Sequence, residues 1–333
     1  MTTASLLSPA TAGGLATFAE DFGQRVLLTV DTEEEFDWNA PFQREGYGTE
    51  HVPELARFQK TCEEIGAHPL YLVDYPITQD PRATRIIGDA LKRGKADLGA
   101  QLHAWVTPPF EEELTQRNSY AGNLPPDLER AKFETLIEAI ESAFGMAPTA
   151  YRAGRYGLGK DTVANLAQAG IGVDTSVRSL FDYSADGGPD YTHHPLAPYW
   201  ADEARTLLEL PITSAYWGVL RQLGKQIHRM QRHIPTFFAA FSKLGLLERI
   251  ALTPEGVTVE EALRGIDIAL DSDLPLLVFS LHSPTLAPGY TPYARTAEDV
   301  ERIYDWLRRI YLYLDQRGVR TASLSDIQSA AQR

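Results

Sequence analysis

The chain contains the segment Val26-Leu-Leu-Thr-Val-Asp-Thr-Glu-Glu-Glu-Phe-Asp-Trp38, in which a short apolar run is followed directly by a cluster of acidic residues. The length and branching of the run predict a buried β-strand rather than a helix. In parallel α/β sheets and barrels, the catalytic and ligand-binding residues lie at the carboxyl ends of the strands. Asp31 therefore occupies the position of a catalytic carboxylate, unless the strand simply runs into a solvated acidic turn.

Strand and helix patterns alternate along the whole chain, and about eight strands are predicted. This alternation indicates βαβ units and a parallel sheet. The 333 residues contain no internal repeat and no linker that would divide them. We therefore expect an α/β fold with a single, deformed (β/α) barrel over residues 21–333, after a flexible leader over residues 1–20. Residues from about 214 to 272 are predicted to form a helical insertion.

Composition narrows the class of protein. With 44% apolar and 23% charged residues, the chain has the composition of a soluble globular protein. Its net charge of −14 argues against nucleic acid or an anionic membrane surface as the main partner. The single cysteine, Cys62, excludes an internal disulfide. No stretch approaches the ~20 apolar residues of a membrane span, and residues 1–14 lack the pattern of a secretory signal, so we expect a cytoplasmic protein.

Polar side chains of catalytic type stand at the ends of several predicted strands. They are Asp31, His103, Arg152 with Arg155, Asp174 and His282. Each by itself has an ordinary explanation, since lone histidines are usually structural, arginines usually pair with carboxylates and an aspartate often caps a turn. Because a barrel brings its strand ends to one mouth, the set as a whole predicts a shared site.

Four motifs in this order resemble one known family. They are Leu28-Thr-Val-Asp-Thr-Glu33, Leu98-Gly-Ala-Gln-Leu-His-Ala-Trp-Val-Thr-Pro-Pro109, Tyr151-Arg-Ala-Gly-Arg-Tyr-Gly157 and Leu281-His-Ser-Pro-Thr-Leu286. The sequence is similar to the polysaccharide deacetylases with the NodB-homology domain, which form carbohydrate esterase family 4. It most resembles their WalW-like branch, which is linked to lipopolysaccharide biosynthesis. The resemblance implies a hydrolase that removes N- or O-acetyl groups from an amino sugar or glycan.

The resemblance also implies a role for each matching residue. Asp31 would be the base that takes a proton from water, and His282 the acid that protonates the leaving group. Arg152 would pair with Asp31 and keep it ionised. The backbone near Tyr156 would face the developing oxyanion.

A divalent metal, zinc or similar, is the cofactor that the resemblance implies, but the ligand motifs depart from the family pattern. Thr32 stands where the family has a metal-binding aspartate, so Glu33 would have to replace it. The second motif has His103 but Thr107 four residues later, and its other alignment puts Gln101 at a histidine position. An amide oxygen suits a hard cation better than zinc. Glu33, His103 and Gln101 are thus the predicted ligands, and His51 or Asp74 could complete the set.

Substrate contacts are expected from Trp38 and Trp105, whose rings could stack on sugars or simply pack the barrel mouth, and from Arg155 and Asp174. Two other functions stay open. The missing histidine is compatible with a catalytically silent barrel that binds a glycan or a nucleotide sugar. A glycosidase could instead use two carboxylates, such as Asp31 with Glu33 or Glu35.

Overall fold

This computed structural model describes residues 5–332 apart from 39, 225 and 228–244. The strands are β1 (Arg25–Thr32), β2 (Pro69–Val73), β3 (Asp97–Leu102), β4 (Ala150–Ala153), β5 (Val173–Asp174), β6 (Tyr199–Trp200), β7 (Leu208–Glu209), β8 (Ser214–Trp217), β9 (Glu248–Ala251), β10 (Leu276–His282) and β11 (Arg320–Thr321). The helices are α1 (Glu54–Glu64), α2 (Tyr75–Thr78), α3 (Pro81–Lys92), α4 (Pro126–Phe144), α5 (Thr162–Gln168), α6 (Val259–Asp271), α7 (Ala297–Gln316) and α8 (Leu324–Ala330).

Nine of these strands form one curled sheet. Its order is β10-β1-β2-β3-β4-β5-β7-β6, with β11 paired beside β1. Neighbouring strands run parallel except β6 and β7, which are antiparallel. The sheet curls into a half-barrel covered by helices, so the predicted deformed (β/α) barrel is confirmed.

The predicted helical insertion is only partly helical. β8 and β9 pair as an antiparallel two-stranded sheet, so the prediction is wrong for both segments. The prediction holds for α6, which begins at a capping box formed by Thr258 and Glu261. Residues 228–244, also predicted to be helical, lie outside the described residues. Local apolar spacing could not distinguish these strands from a helix, because the pairing joins Ser214–Trp217 to Glu248–Ala251, which are far apart in the chain.

The described part of the predicted leader packs on the barrel. The side chain of Leu6 is 1% exposed and belongs to the main core. Leu15 forms an antiparallel bridge with Tyr199, and Phe18 forms one with Ala331. These contacts attach residues of the leader to both the edge strand β6 and the end of the chain.

The side chains of β1 alternate between two cores. Val26, Leu28 and Val30 pack outward in the large core between the sheet and the helices. Leu27 points inward, into a smaller core. Because strand side chains alternate strictly, Asp31 faces the interior like Leu27. Among the described residues, no helix combines the length and hydropathy that crossing a bilayer requires.

Candidate active site

Four strands bring polar side chains to the same interior edge of the barrel. β1 and β10 are parallel neighbours in which Asp31 pairs with His282. In β3 and β4, Leu102 and Ala153 face the outer core, so the residues beside them along each strand face inward. The interior side chains at this edge are Asp31, Gln101, His103, Arg152 and His282. The structure therefore brings together the strand-end residues that the sequence singled out, with the exception of Asp174.

Asp31 is held in place by two donors. The guanidinium of Arg152 donates to its Oδ1, and Gln101 Nε2 donates to its Oδ2 at 3.1 Å. Arg152 is fully buried and also donates to the Thr175 carbonyl at 2.9 Å and to the Thr29 hydroxyl at 3.0 Å. The Asp31 carboxylate thus has a fixed orientation and a counter-charge, which are the properties that a general base needs.

His282 faces Asp31 with one ring nitrogen and Glu255 with the other. Its Nε2 lies 3.8 Å from Asp31 Oδ2, and its Nδ1 lies 2.7 Å from Glu255 Oε2. Glu255 also accepts the backbone N–H of His282 at 3.0 Å. Burial alone lowers the pKa of His282, but the charge and the hydrogen bond of Glu255, together with the charge of Asp31, outweigh it, so the pKa is raised. A protonated His282 is therefore favoured, with Nε2 aimed at the position of a reacting group.

Glu255 is a site residue that the sequence analysis missed. The chain after β9 runs beside β10, where the Leu252 carbonyl accepts the N–H of Ser280 at 3.2 Å. This pairing carries the chain to Glu255, beside His282. The only signal in the sequence was a carboxylate shortly after an apolar segment, and the prediction of a helical insertion from about 214 to 272 concealed it.

Replacing Glu255 by Gln is expected to lower the pKa of His282, because the amide removes the negative charge that favours the imidazolium. If protonated His282 is the acid, activity falls as the pH rises through this pKa, so the alkaline limb should move to lower pH. Titration of the His282 ring by NMR measures the pKa directly, with His282→Gln identifying the signal. An unchanged titration curve would show that Glu255 does not control this histidine.

A set of potential metal ligands with unused oxygens lies next to this pair. Glu33 Oε1 and Gln101 Oε1 are buried and have no hydrogen-bond partner among the described residues. His103 Nε2 lies 3.4 Å from Glu33 Oε2. Burial raises the pKa of Glu33 well above its usual value, and nearby carboxylates, Asp31 foremost, raise it further. Buried oxygens without donors, amid like charges, are the environment that a cation stabilises.

His103 is oriented by a second carboxylate. Its Nδ1 lies 2.8 Å from Glu34 Oε2, while Trp105 Nε1 donates to Glu34 Oε1 at 2.7 Å. Burial lowers the pKa of His103 to about 4, so its ring is neutral near pH 7. A histidine that bonds a carboxylate through one nitrogen and leaves the other open has the usual arrangement of a metal ligand.

Asp74 and His51, which could have completed the ligand set, have other partners. Asp74 accepts the backbone N–H groups of Glu34 and Ile77, each at 2.9 Å. His51 Nδ1 lies 2.8 Å from Glu35 Oε1, and its Nε2 lies 2.8 Å from the Ser283 hydroxyl. Both residues brace the loop after β1, and neither lines the cavity described below.

The hydrogen-bonded side chains of Glu35, His51 and Ser283 have the residue types of a hydrolytic triad, but their surroundings indicate a structural role. Ser283 and His51 are fully buried. The Ser283 hydroxyl also accepts the backbone N–H of Glu33 at 3.2 Å. These hydrogen bonds therefore fix the backbone of Glu33 through Ser283, the residue that follows His282.

Asp174 lies outside the site, which corrects the expectation that it contacts substrate. It is fully buried and accepts hydrogen bonds from the backbone N–H and the hydroxyl of Ser176. It also shares a hydrogen bond with Glu209. The position of Asp174 at a strand end did not show that its side chain would lie behind Arg152, among other buried polar groups.

Apart from Asp174 and the fully buried Arg152, the predicted site residues line a cavity of about 340 Å³ at the strand edge. The reactive groups on its wall are Asp31, Glu33, Gln101, His103, Glu255 and His282. Trp38, Trp105, Arg155 and Tyr156 also line it. The ring of Trp38 packs edge-on to that of His282, with 4.9 Å between the ring centres. The ring of Trp105 stacks on that of His103, with 4.2 Å between the ring centres. Trp105 is 1% exposed, so packing is a large part of its role.

The fold and this edge define a barrel protein with a carboxylate–histidine site. No family model matches the sequence, and the comparison with curated proteins found no match. The structure is similar to a 4-alpha-glucanotransferase from Thermococcus litoralis, with a TM-score of 0.51 and 13% identity. This similarity covers 93% of the present chain and 41% of the glucanotransferase.

Structures with lower TM-scores include deacetylases. A candidate polysaccharide deacetylase from Mycobacterium smegmatis has a TM-score of 0.48 and 15% identity, covering 95% of this chain and 98% of that one. The Bc1960 peptidoglycan N-acetylglucosamine deacetylase has a TM-score of 0.45 and 13% identity, covering 93% and 89% of the two chains. At these identities the likeness concerns the fold, and the activity must be argued from the site.

Proposed function

We propose that the protein is a metal-assisted hydrolase that removes N- or O-acetyl groups from an amino sugar or glycan. One observation carries the proposal. In one cavity, Asp31 Oδ2 lies 3.8 Å from His282 Nε2. Arg152 holds Asp31 in place, and Glu255 orients His282. The pair offers a carboxylate beside a counter-charge and a histidine whose protonation is favoured. A role in lipopolysaccharide biosynthesis and a cytoplasmic location remain predictions.

The two residues have complementary roles in hydrolysis of an amide. As the oxygen of water bonds to the acyl carbon, Asp31 accepts a proton from the water. As the carbon–nitrogen bond breaks, His282 gives its proton to the nitrogen, so that a carboxylic acid and an amine leave. Asp31 then returns the system to its starting protonation by giving its proton to His282, directly or through solvent. Tyr156, whose φ is +62°, lies on the cavity wall at the turn after β4, where the oxyanion is proposed to form.

The site also fits a divalent cation, which Glu33, Gln101 and His103 would hold. The unused oxygens of Glu33 and Gln101 and the open nitrogen of His103 supply the donors. Two oxygens with one nitrogen suit a hard divalent ion as well as zinc. Zinc, if it were bound there, would lower the pKa of a coordinated water from 15.7 to about 7.

A glycosidase is the second candidate, and one observation favours it. Oxygen atoms of Asp31 and Glu33 lie within 4.8 Å of one another. Retaining glycosidases hold their two carboxyl groups ~5–5.5 Å apart. The raised pKa of Glu33, caused by burial and by neighbouring carboxylates, would suit the general acid of a glycosidase.

The third candidate is a barrel that binds a glycan without turning it over.

Metal dependence is expected to separate these candidates. Acetate release from a panel of acetylated sugars should stop on chelation and return with a divalent metal. Glu33→Gln should lower metal content and activity together, because the amide gives up the charge that binds the ion. Glu113→Gln, on the exposed loop before α4, is the matched control. Acetate release and metal content are measured on the same samples.

The same panel contains the contrary outcomes. New reducing ends from glycosides, unaffected by chelation, would favour the two-carboxylate glycosidase. Glycan binding without acetate release under any divalent metal would favour the silent binding barrel. Either result overturns the deacetylase proposal.

A further inference from the structure

Two arginines line the cavity without a carboxylate partner. Arg155 and Arg178 lie on the wall that also carries Asp31 and His282. In the described part of the chain, the hydrogen bonds of both guanidiniums go to neutral groups. Arg155 donates to the Ser119 hydroxyl at 2.5 Å, and Arg178 donates to the Tyr183 hydroxyl at 3.2 Å. Their positive charges are therefore not paired within the site.

Aromatic rings hold both guanidiniums in place. Arg155 Cζ lies 4.1 Å from the centre of the Tyr120 ring. Arg178 Cζ lies 4.0 Å from the centre of the Phe181 ring. Arg178 Nε is buried and has no hydrogen-bond partner among the described residues. A stacked guanidinium keeps its donors in a fixed plane, which suits bidentate binding of a carboxylate or a phosphate.

The sheet order separates these arginines from the reactive pair. Asp31 and His282 end β1 and β10, whereas Arg155 follows β4 and Arg178 follows β5. β2 and β3 lie between β1 and β4 in the sheet. The curl nevertheless brings the two sides within side-chain reach, because Arg152 of β4 contacts Asp31. The cavity lining thus combines the carboxylate–histidine pair with two guanidiniums.

We propose, on the basis of the proposed deacetylase function, that the substrate is an acylated sugar carrying an anionic group, which Arg155 and Arg178 bind. A neutral acetylated sugar would leave two guanidiniums partly desolvated in the cavity with no anion beside them, which is costly. An anionic substituent, whether carboxylate or phosphate, supplies the missing partner. It would also orient the sugar, so that its acyl group points toward Asp31 and His282.

Three matched probes test the proposal. N-acetylglucosamine is neutral, N-acetylmuramic acid adds a carboxylate to the same ring, and N-acetylglucosamine 6-phosphate adds a phosphate. Calorimetry on the full chain should show at least one charged probe binding about tenfold tighter than the neutral one. The preference should weaken as NaCl is raised, since it is electrostatic. The charged probe that binds more tightly identifies the anionic group.

Variants of the arginines make the test specific. Arg155→Gln and Arg178→Gln should remove the preference, so that charged and neutral sugars bind each variant with similar affinity, and Arg178→Lys should restore part of it. Arg249→Gln is the matched control, because Arg249 Cζ lies 3.6 Å from the centre of the same Phe181 ring but donates to the Leu180 carbonyl outside the cavity lining. Circular dichroism confirms that each variant is folded before it is compared.

The outcomes separate this inference from the proposed function. Equal affinity for all three probes, or a preference that survives both glutamine variants, overturns the inference. Acetate released equally from charged and neutral sugars overturns it while supporting the hydrolase. Tight, arginine-dependent binding of a charged sugar without acetate release supports the inference and overturns the hydrolase.

Discussion

Replacing Asp31 by Asn is expected to lower the turnover of an acetylated sugar by ~10²–10⁴-fold, the usual contribution of a general acid–base group. The amide keeps the shape of the side chain but cannot accept the proton of water. The new amide would also face Arg152 without a charge, so the variant's thermal unfolding must be measured alongside its rate. The rate is measured on the best substrate of the acetylated panel, at saturating metal.

The matched control is Asp127→Asn. Asp127 lies in the first turn of α4, and its side chain is 91% exposed, so this variant loses a carboxylate far from the cavity. It should keep full activity. If the Asp31 variant is folded, binds metal and turns over as fast as the parent protein, Asp31 is not the base and the proposed mechanism is wrong.

Replacing Arg152 by Met is expected to destabilise the fold by ~3–5 kcal/mol, the usual cost of removing one partner of a buried ion pair. Arg152 is fully buried between Asp31, Thr29 and Thr175. Methionine fills much of the space but leaves the Asp31 carboxylate buried without its counter-charge. Urea denaturation of parent and variant gives the difference in the free energy of unfolding.

Two further variants show whether the cost comes from the unpaired charge. Arg130→Met removes an arginine from an exposed pair with Asp127, and it should cost far less because exposed ion pairs contribute little. Adding Asp31→Asn to Arg152→Met should recover part of the lost stability, since the double variant no longer buries an Asp31 carboxylate without its counter-charge. If Arg152→Met costs no more than Arg130→Met, the buried pair does not hold this edge together.

The sequence was sufficient for the features that depend on local pattern. The apolar run that ends at Asp31 became β1, and the alternation of strands and helices correctly predicted a deformed barrel. Strand periodicity fixes which residues face the interior, and parallel strands carry their ends to one edge. These two regularities are enough to place Asp31, His103, Arg152 and His282 together without any knowledge of their contacts.

The tertiary structure alone decided which partner each polar group has. Glu255 reaches His282 because the segment after β9 pairs with β10, whereas Asp174 stands at a strand end and bonds Ser176 behind the site. Glu34 orients His103, while its neighbour Glu33 keeps an unused oxygen. Local sequence determines the direction in which a side chain points from its own strand. Hydrogen-bond partners and burial arise from segments far apart in the chain, and only their packing decides which carboxylate is satisfied and which is left open to react or bind.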